Sequence, residues 1–265
     1  MKIKNTMLKK VTAIVLVVAM MFSFSSVVFA TYGSDEAAAK NNIPDVNKNG
    51  KADTSENAPP PSKYECFPTV IIDAGHGGED GGASGADGTL EKHLNLALAL
   101  ELEEMLRSMG VKTRLTRTED VLLYDRESDY EGHKKAQDAA ARIAIAEEYD
   151  SAIFISIHMN SFPQKQYRGL QVYYSPLTPE SEKIAAELQS LTAKNLQPEN
   201  DRQIKPIGKS VYIMNNITHP AVLVECGFLS NPEECALLSS KEYQSKLSLV
   251  ICGAVLNYFD SIENT

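Results

Sequence analysis

The stretch Thr69–Gly78, TVIIDAGHGG, decides how the rest of the chain is read. Thr69 to Asp73 has the texture of a buried strand, and it runs directly into a glycine turn that carries His76. Next, LEKHLNLAL from Leu90 begins a helix over Glu91 to Met109, and Val111 to Arg117 reads as a second strand. Farther out come a helix from Lys134 to Glu148, strands at Ala152 to His158 and Leu170 to Tyr174, a helix from Pro179 to Leu196 and a strand at Ala221 to Cys226. Pro232 opens a short helical turn, and Glu242 to Phe259 is a helix with Tyr243, Leu247, Val250, Ala254 and Tyr258 at helical spacing. Strands alternating with helices predict a single three-layer α/β domain over residues 65–265, its central sheet mostly parallel and its helices on both faces. About two hundred residues suffice for one core.

The polar groups fall at telling places. FISIHMNS ends its strand on His158, and VLVECGFLSNP places Glu225 near the end of another, so both join His76 at strand carboxyl ends. In open α/β sheets those ends form the ligand crevice. Glu91 reaches the same rim from the first turn of its helix, with Thr89 or Asp87 as cap, and Asn95 one turn on is placed to hydrogen-bond it. Two histidines and two carboxylates converging on one rim are the ligand-and-base inventory of a zinc hydrolase. Spacing alone goes no further than a metal-assisted hydrolase. Taken singly, Glu91 is an ordinary first-turn acid complementing the helix dipole and His158 a strand-end core histidine. Glu225, in the middle of an apolar run, would be costly to bury unless it served something.

Other motifs are excluded or explained. The glycines of GHGGEDGGASG match neither GxGxxG nor a lysine-bearing P-loop, so close backbone approach to metal and substrate is the simpler reason for Gly75, Gly77 and Gly78. Cys66, Cys226, Cys235 and Cys252 include no CxxC pair, and strand alternation turns Cys226 away from the face of Glu225. His93, His133 and His219 lie outside the constellation.

The amino-terminal part sets the compartment. Lys2, Lys4, Lys9 and Lys10 precede an apolar run, and Val28-Phe29-Ala30 supplies small residues for cleavage, so residues 1–30 read as a signal peptide, or as an anchor if left uncut. An exported protein is the expectation, either secreted or held at the wall or membrane. Residues 31–64, polar and rich in proline, read as a disordered linker. Within them Asp45, Asn47, Asn49, Gly50, Asp53 and Glu56 fit the spacing of a calcium-binding loop, although neither flanking helix is expected. Net charge is −9, and losing residues 1–30, with four lysines and no acid, takes it to −13. Such a surface repels nucleic acid.

At this point the residues match a family. DxGHGG at a strand end, EKxxNL on the next helix, SIHxN on a buried strand and ExGFLSN at the last strand resemble the zinc-dependent N-acetylmuramoyl-L-alanine amidases of bacterial cell walls, type 3 catalytic domain. The resemblance runs from about Thr69 to Phe259. It implies His76, Glu91 and His158 as ligands of Zn2+, Glu225 as the catalytic carboxylate and peptidoglycan as substrate. The bond cut would join the lactyl group of muramic acid to the L-alanine of the stem peptide. NITHPAVLVECGFLSNPEE looks closest to the sporulation amidases that prepare the spore cortex. Departures are Ala74, His93 and Cys226, none of them a metal ligand. Asn160 and Arg168, in the loop after the metal-bearing strand, are candidates for gripping substrate. Two alternatives remain open: a zinc peptidase on other peptides, for which the HExxH helix is missing, and a non-catalytic peptidoglycan-binding relative, which would be expected to lack a ligand or Glu225. A protein activator is left open as well.

Overall fold

A computed structural model of the chain describes residues 63–127 and 131–263. The export segment at 1–30, the linker up to residue 62 and the calcium-type loop at Asp45 to Glu56 lie outside the described residues. Lys63 and Tyr64, expected in the linker, belong instead to a 3-10 helix, Lys63–Cys66. Tyr64 is buried near Phe259, onto which Phe67 stacks with ring centres 4.9 Å apart. An aromatic at the end of a polar run marks where packing begins, and the domain edge moves back accordingly.

Strands β1 (Thr69–Ala74), β2 (Thr113–Leu115), β3 (Ala152–Asn160), β4 (Gln171–Tyr174), β5 (Lys205–Pro206) and β6 (Ala221–Phe228) form one sheet in the order β2-β1-β3-β6-β4-β5. Every pairing is parallel except that of β4 with β6. Every residue of β1 is buried, because a parallel strand covered on both faces needs apolar groups on both. The helices are α1 (Glu91–Ser108), α2 (Lys134–Glu147), α3 (Pro179–Asn195), α4 (Pro232–Leu238) and α5 (Lys241–Glu263).

Alternation along the strands divides the core in two. Val70, Ile72, Ile153, Ile155, Val222 and Val224 pack with α1, α3 and α5. Ile71, Phe154 and Leu223 pack on the other face with Ala146 of α2 and with Met214 and Ile217. Three layers result, as the element order predicts. On α1 one stripe, Leu98, Leu102 and Leu106, is buried at helical spacing, and that stripe begins with buried Glu91 and Asn95. The packing that docks α1 therefore also aims its first turn at the rim.

The differences from expectation have local causes. β2 is shorter than Val111 to Arg117 because Thr116 and Arg117 turn their side chains to Asp73 and to the carbonyl of Ala74. β3 runs on to Asn160 and β6 to Phe228, with an irregularity in register between His158 and Asn160. β5 and a 3-10 turn at Ile213–Asn215 are too short to leave a periodic trace. On α5 the buried stripe passes through Ile251 rather than Val250.

Candidate active site

The site is assembled from the ends of β1, β3 and β6 and the start of α1. His76 follows β1 by two residues and adopts φ 61°, a left-handed conformation uncommon for a residue with a Cβ. Its Nδ1 lies 2.9 Å from Asp80 Oδ2, and its Nε2 lies 3.2 Å from Glu91 Oε1. His158, from β3, brings its own Nδ1 to 2.9 Å from the same Glu91 oxygen, and the two imidazoles meet edge to face at 4.9 Å. The rest of the Glu91 carboxylate is held by the backbone N–H groups of Met159 and Ala83, at 3.0 and 2.7 Å, and by Asn95 Nδ2 at 3.3 Å. Asn95 thus sits where its spacing from Glu91 placed it, and it also donates to the carbonyl of Gly75.

Close packing explains two of the glycines. A Cβ on Gly75 would strike the His158 ring, and one on Gly82, at φ +66°, would lie 2.5 Å from Glu91 Oε2 and 2.7 Å from His76 Cδ2. Gly77 and Gly78 have a packing reason that the sequence did not show: a Cβ there would meet the backbone of Val121 and Leu122 in a neighbouring loop.

The donors are close enough together to hold a metal ion. One nitrogen or oxygen from each of His76, Glu91 and His158 lies within 4.8 Å of the others. Zinc bonds of about 2.0–2.1 Å in a tetrahedron put neighbouring donors roughly 3.3 Å apart. The two closest separations, 2.9 and 3.2 Å, fall near that edge. The charges respond to this crowding. Burial works against the His76 imidazolium, but Glu91 and Asp80 outweigh it and raise its pKa to about 9. Burial likewise works against the Glu91 carboxylate, and the two histidines hold it well below the usual range.

Glu225 stands opposite His158 in the parallel pairing of β3 and β6. Its Oε2 is buried without a hydrogen-bond partner among the described residues. Burial, reinforced by Glu91 and opposed by the two histidines, pushes its pKa up to about 7. Cys226 turns to the opposite face, fully buried in the core, and burial drives its thiol pKa far upward, so it is inert as a nucleophile. Asn160 ends β3, and its carbonyl accepts from Leu229 N–H at 2.8 Å. Arg168 lies at the surface with its guanidinium on Glu233 at 2.7 Å, so that candidate for substrate contact already has an anionic partner.

Three groups escape a reading by sequence alone: Asp80, Arg117 and Arg142. The carbonyls of Ala74, Gly75 and His76 all turn inward where β1 ends. Arg142 donates to Ala74 and His76 at 2.7 and 2.8 Å, and Arg117 donates to Ala74 and Gly75 at 2.8 and 3.0 Å. Arg142 is itself balanced by Asp73 at 2.6 Å and Asp138 at 2.8 Å. A signal was present in AAARIAIA, where a lone arginine interrupts the face that α2 turns to an apolar sheet. A buried charge requires a partner, and Asp73 in TVIIDA is the acid that answers it.

Comparison with known proteins agrees with this geometry. Residues 70–257 match the family model Amidase_3, N-acetylmuramoyl-L-alanine amidase. The germination-specific N-acetylmuramoyl-L-alanine amidase of Bacillus subtilis is 35% identical over 190 residues, covering 72% of this chain and 79% of its own. AmiA of Escherichia coli is 28% identical over 239 residues, covering 74% of this chain and 77% of its own. Among solved structures, the CwlD amidase of Clostridioides difficile, in complex with the GerS lipoprotein, superposes with a TM-score of 0.69 at 35% identity, covering 73% of this chain and 99% of that one. The family and the relatives it matches define a hydrolase of peptidoglycan amide bonds. The chain belongs to the N-acetylmuramoyl-L-alanine amidase family and has that activity.

Proposed function

We propose that His76, Glu91 and His158 hold a zinc ion and that Glu225 is the proton-transferring carboxylate of the amidase. The observation that carries this reading is the convergence of two imidazoles and one carboxylate on a common point, with a second, unpartnered carboxylate beside them. Bound there, zinc supplies a Lewis acid that polarises the amide carbonyl and acidifies water. Asp80 holds the proton of His76 on Nδ1 and leaves Nε2 free to bind. Asn95 and the Met159 and Ala83 N–H groups keep the Glu91 carboxylate facing both histidines. Glu225 takes the proton of the attacking water and returns it to the leaving nitrogen of L-alanine, and burial, which pushes its pKa upward, suits a carboxylate that must accept a proton and give it back.

The wider setting belongs to the same proposal. Export rests on residues 1–30, and action on the spore cortex rests on the likeness to a germination-specific amidase. A lipoprotein or other protein activator is a candidate partner, since the similar CwlD amidase was solved in complex with one. The test is mass spectrometry of purified peptidoglycan digested by the full chain, with zinc or with chelator, on vegetative and cortex substrates. Free stem peptides with a new alanine amino terminus, formed only with zinc, are expected. Equal cleavage under chelation would overturn the zinc assignment, and equal rates on both substrates would overturn the cortex preference.

A further inference from the structure

We propose that Phe162 and Tyr167, backed by Phe228, form a stacking shelf for a sugar ring of the glycan strand next to the muramic acid whose amide is cut. This deepens the amidase reading and rests on it. Phe162 and Tyr167 are 45% and 42% exposed, and their rings meet edge to face at 4.8 Å. Tyr167 in turn lies over Phe228, at 6.2 Å and 29° between planes, and the Arg202 guanidinium sits 4.6 Å from the Phe228 ring and 6.0 Å from that of Tyr167. Two exposed rings in mutual contact, on a base of a third ring and a cation, form a patch rather than scattered surface residues.

Its position follows from the strands. Phe228 pairs with Asn160, two residues beyond His158 on β3, as Glu225 pairs with His158 itself. At about 3.3 Å per residue, the backbone of Phe228 lies about 7 Å beyond the His158–Glu225 pair counted along β3 and about 10 Å counted along β6, where the register is irregular, a spacing on the scale of one or two sugar rings. The shelf is also held still. Phe162 N–H donates to Ser230 Oγ at 3.0 Å and Asn231 Nδ2 donates to the carbonyl of Tyr167 at 3.3 Å, tying both ring-bearing positions to the turn that follows β6. Little is left to order on binding.

The surface chemistry favours sugar over stem peptide. A stem peptide carries carboxylates, which call for cations held in place, but Arg168 is paired with Glu233, Arg202 donates to the carbonyl of Arg168 and to Gln171, and Lys165 is a long exposed side chain on the loop. What the shelf presents outward is aromatic carbon from two exposed rings set at 80° to one another, an angled apolar corner against which the C–H face of a pyranose can rest.

The experiment compares the zinc-loaded full chain on two soluble substrates, a muramyl peptide with one sugar and the same peptide on a tetrasaccharide. Variants are Phe162→Ala with Tyr167→Ala, the ring-preserving Tyr167→Phe, and Tyr212→Ala as a surface control, its ring being 56% exposed. In the double variant KM for the tetrasaccharide is expected to rise about tenfold with little change in kcat, removing most of the advantage over the single sugar, while Tyr167→Phe and Tyr212→Ala behave as wild type. A parallel arm measures binding of a peptide-free tetrasaccharide to the Glu225→Gln chain by calorimetry, with and without the ring substitutions. Equal KM changes on both substrates, or binding indifferent to the rings, overturns the shelf. A wild type that cleaves neither substrate overturns the amidase mechanism, and the binding arm still decides the shelf.

Discussion

His158 and Glu225 face each other across β3 and β6, yet they are solvated by the protein in opposite ways: His158 has Glu91 at 2.9 Å, whereas Glu225 Oε2 has no partner among the described residues. A buried carboxylate oxygen without a partner is a cost to folding. Its folded pKa, about 7 against 4.5, means that the folded state holds a proton the unfolded state has lost. Stability from this group is therefore complete below pH 4.5 and lost as pH rises through about 7. In the chelated protein, Glu225→Gln is expected to match wild type at pH 5 and to exceed it at pH 8, by a few kcal/mol at most on the order-of-magnitude linkage scale. Urea unfolding at the two pH values checks this, and equal stabilities at pH 8 would sink it. The zinc-loaded variant should keep its metal and lose about 10²- to 10⁴-fold in kcat.

Asp80 should control how tightly metal is held. Because its Oδ2 fixes the Nδ1 side of His76, Asp80→Ala is expected to weaken zinc affinity by about 10- to 100-fold without unfolding the domain. Competition with a chromophoric chelator measures the loss. An unchanged affinity would mean that the left-handed backbone alone orients the ring.

Acid sensitivity should centre on Asp73. Burial opposes its charge, but Arg142, Ser156, His158 and Thr116 overcome that and depress its pKa. A depressed carboxylate contributes stability that is complete above its unfolded value of 3.8 and is lost as pH falls through the folded one. Asp73→Asn is expected to cost about 3–5 kcal/mol at neutral pH, because Arg142 is left buried with less compensation, and to flatten the decline below pH 4. Thermal melts between pH 3 and 7 give both quantities.

A further prediction concerns Asn231, which besides its contact with the Tyr167 carbonyl caps a helix. Its side chain accepts from the N–H groups of Glu233 and Glu234 and caps α4, whose Pro232 stands at the first helical position. Asn231→Ala should lower stability by about 1 kcal/mol, measured by chemical denaturation.

How much of this was legible from sequence differs by element. β1, β3 and α1 declared themselves because their periodicities were long and their apolar faces unbroken, and the four principal site residues fell at their ends or, for Glu225, near the end of β6. Arg117 and Arg142 did not, because their role depends on where three loop carbonyls point, and carbonyl direction has no signature in side-chain type; Asp80 did not, because its contact with His76 depends on the path of an irregular glycine loop. β5, two residues long, could show no alternation. Tyr64 was assigned to the linker because composition averages over a window and a single packing aromatic is lost in the average. The packing of Gly77 did not show because a glycine's neighbour in space cannot be read from its neighbours in sequence.

The inward carbonyls at the end of β1 carry one more consequence. Their hydrogen bonds go to arginines and to Asn95, all supplied by the chain itself. Folding then does not require the metal, although a bound ion adds stability by mass action, unlike the case of small domains that collapse only around zinc. If the proposed zinc is bound there, withdrawing it is expected to leave an intact, idle protein that regains its activity on resupply.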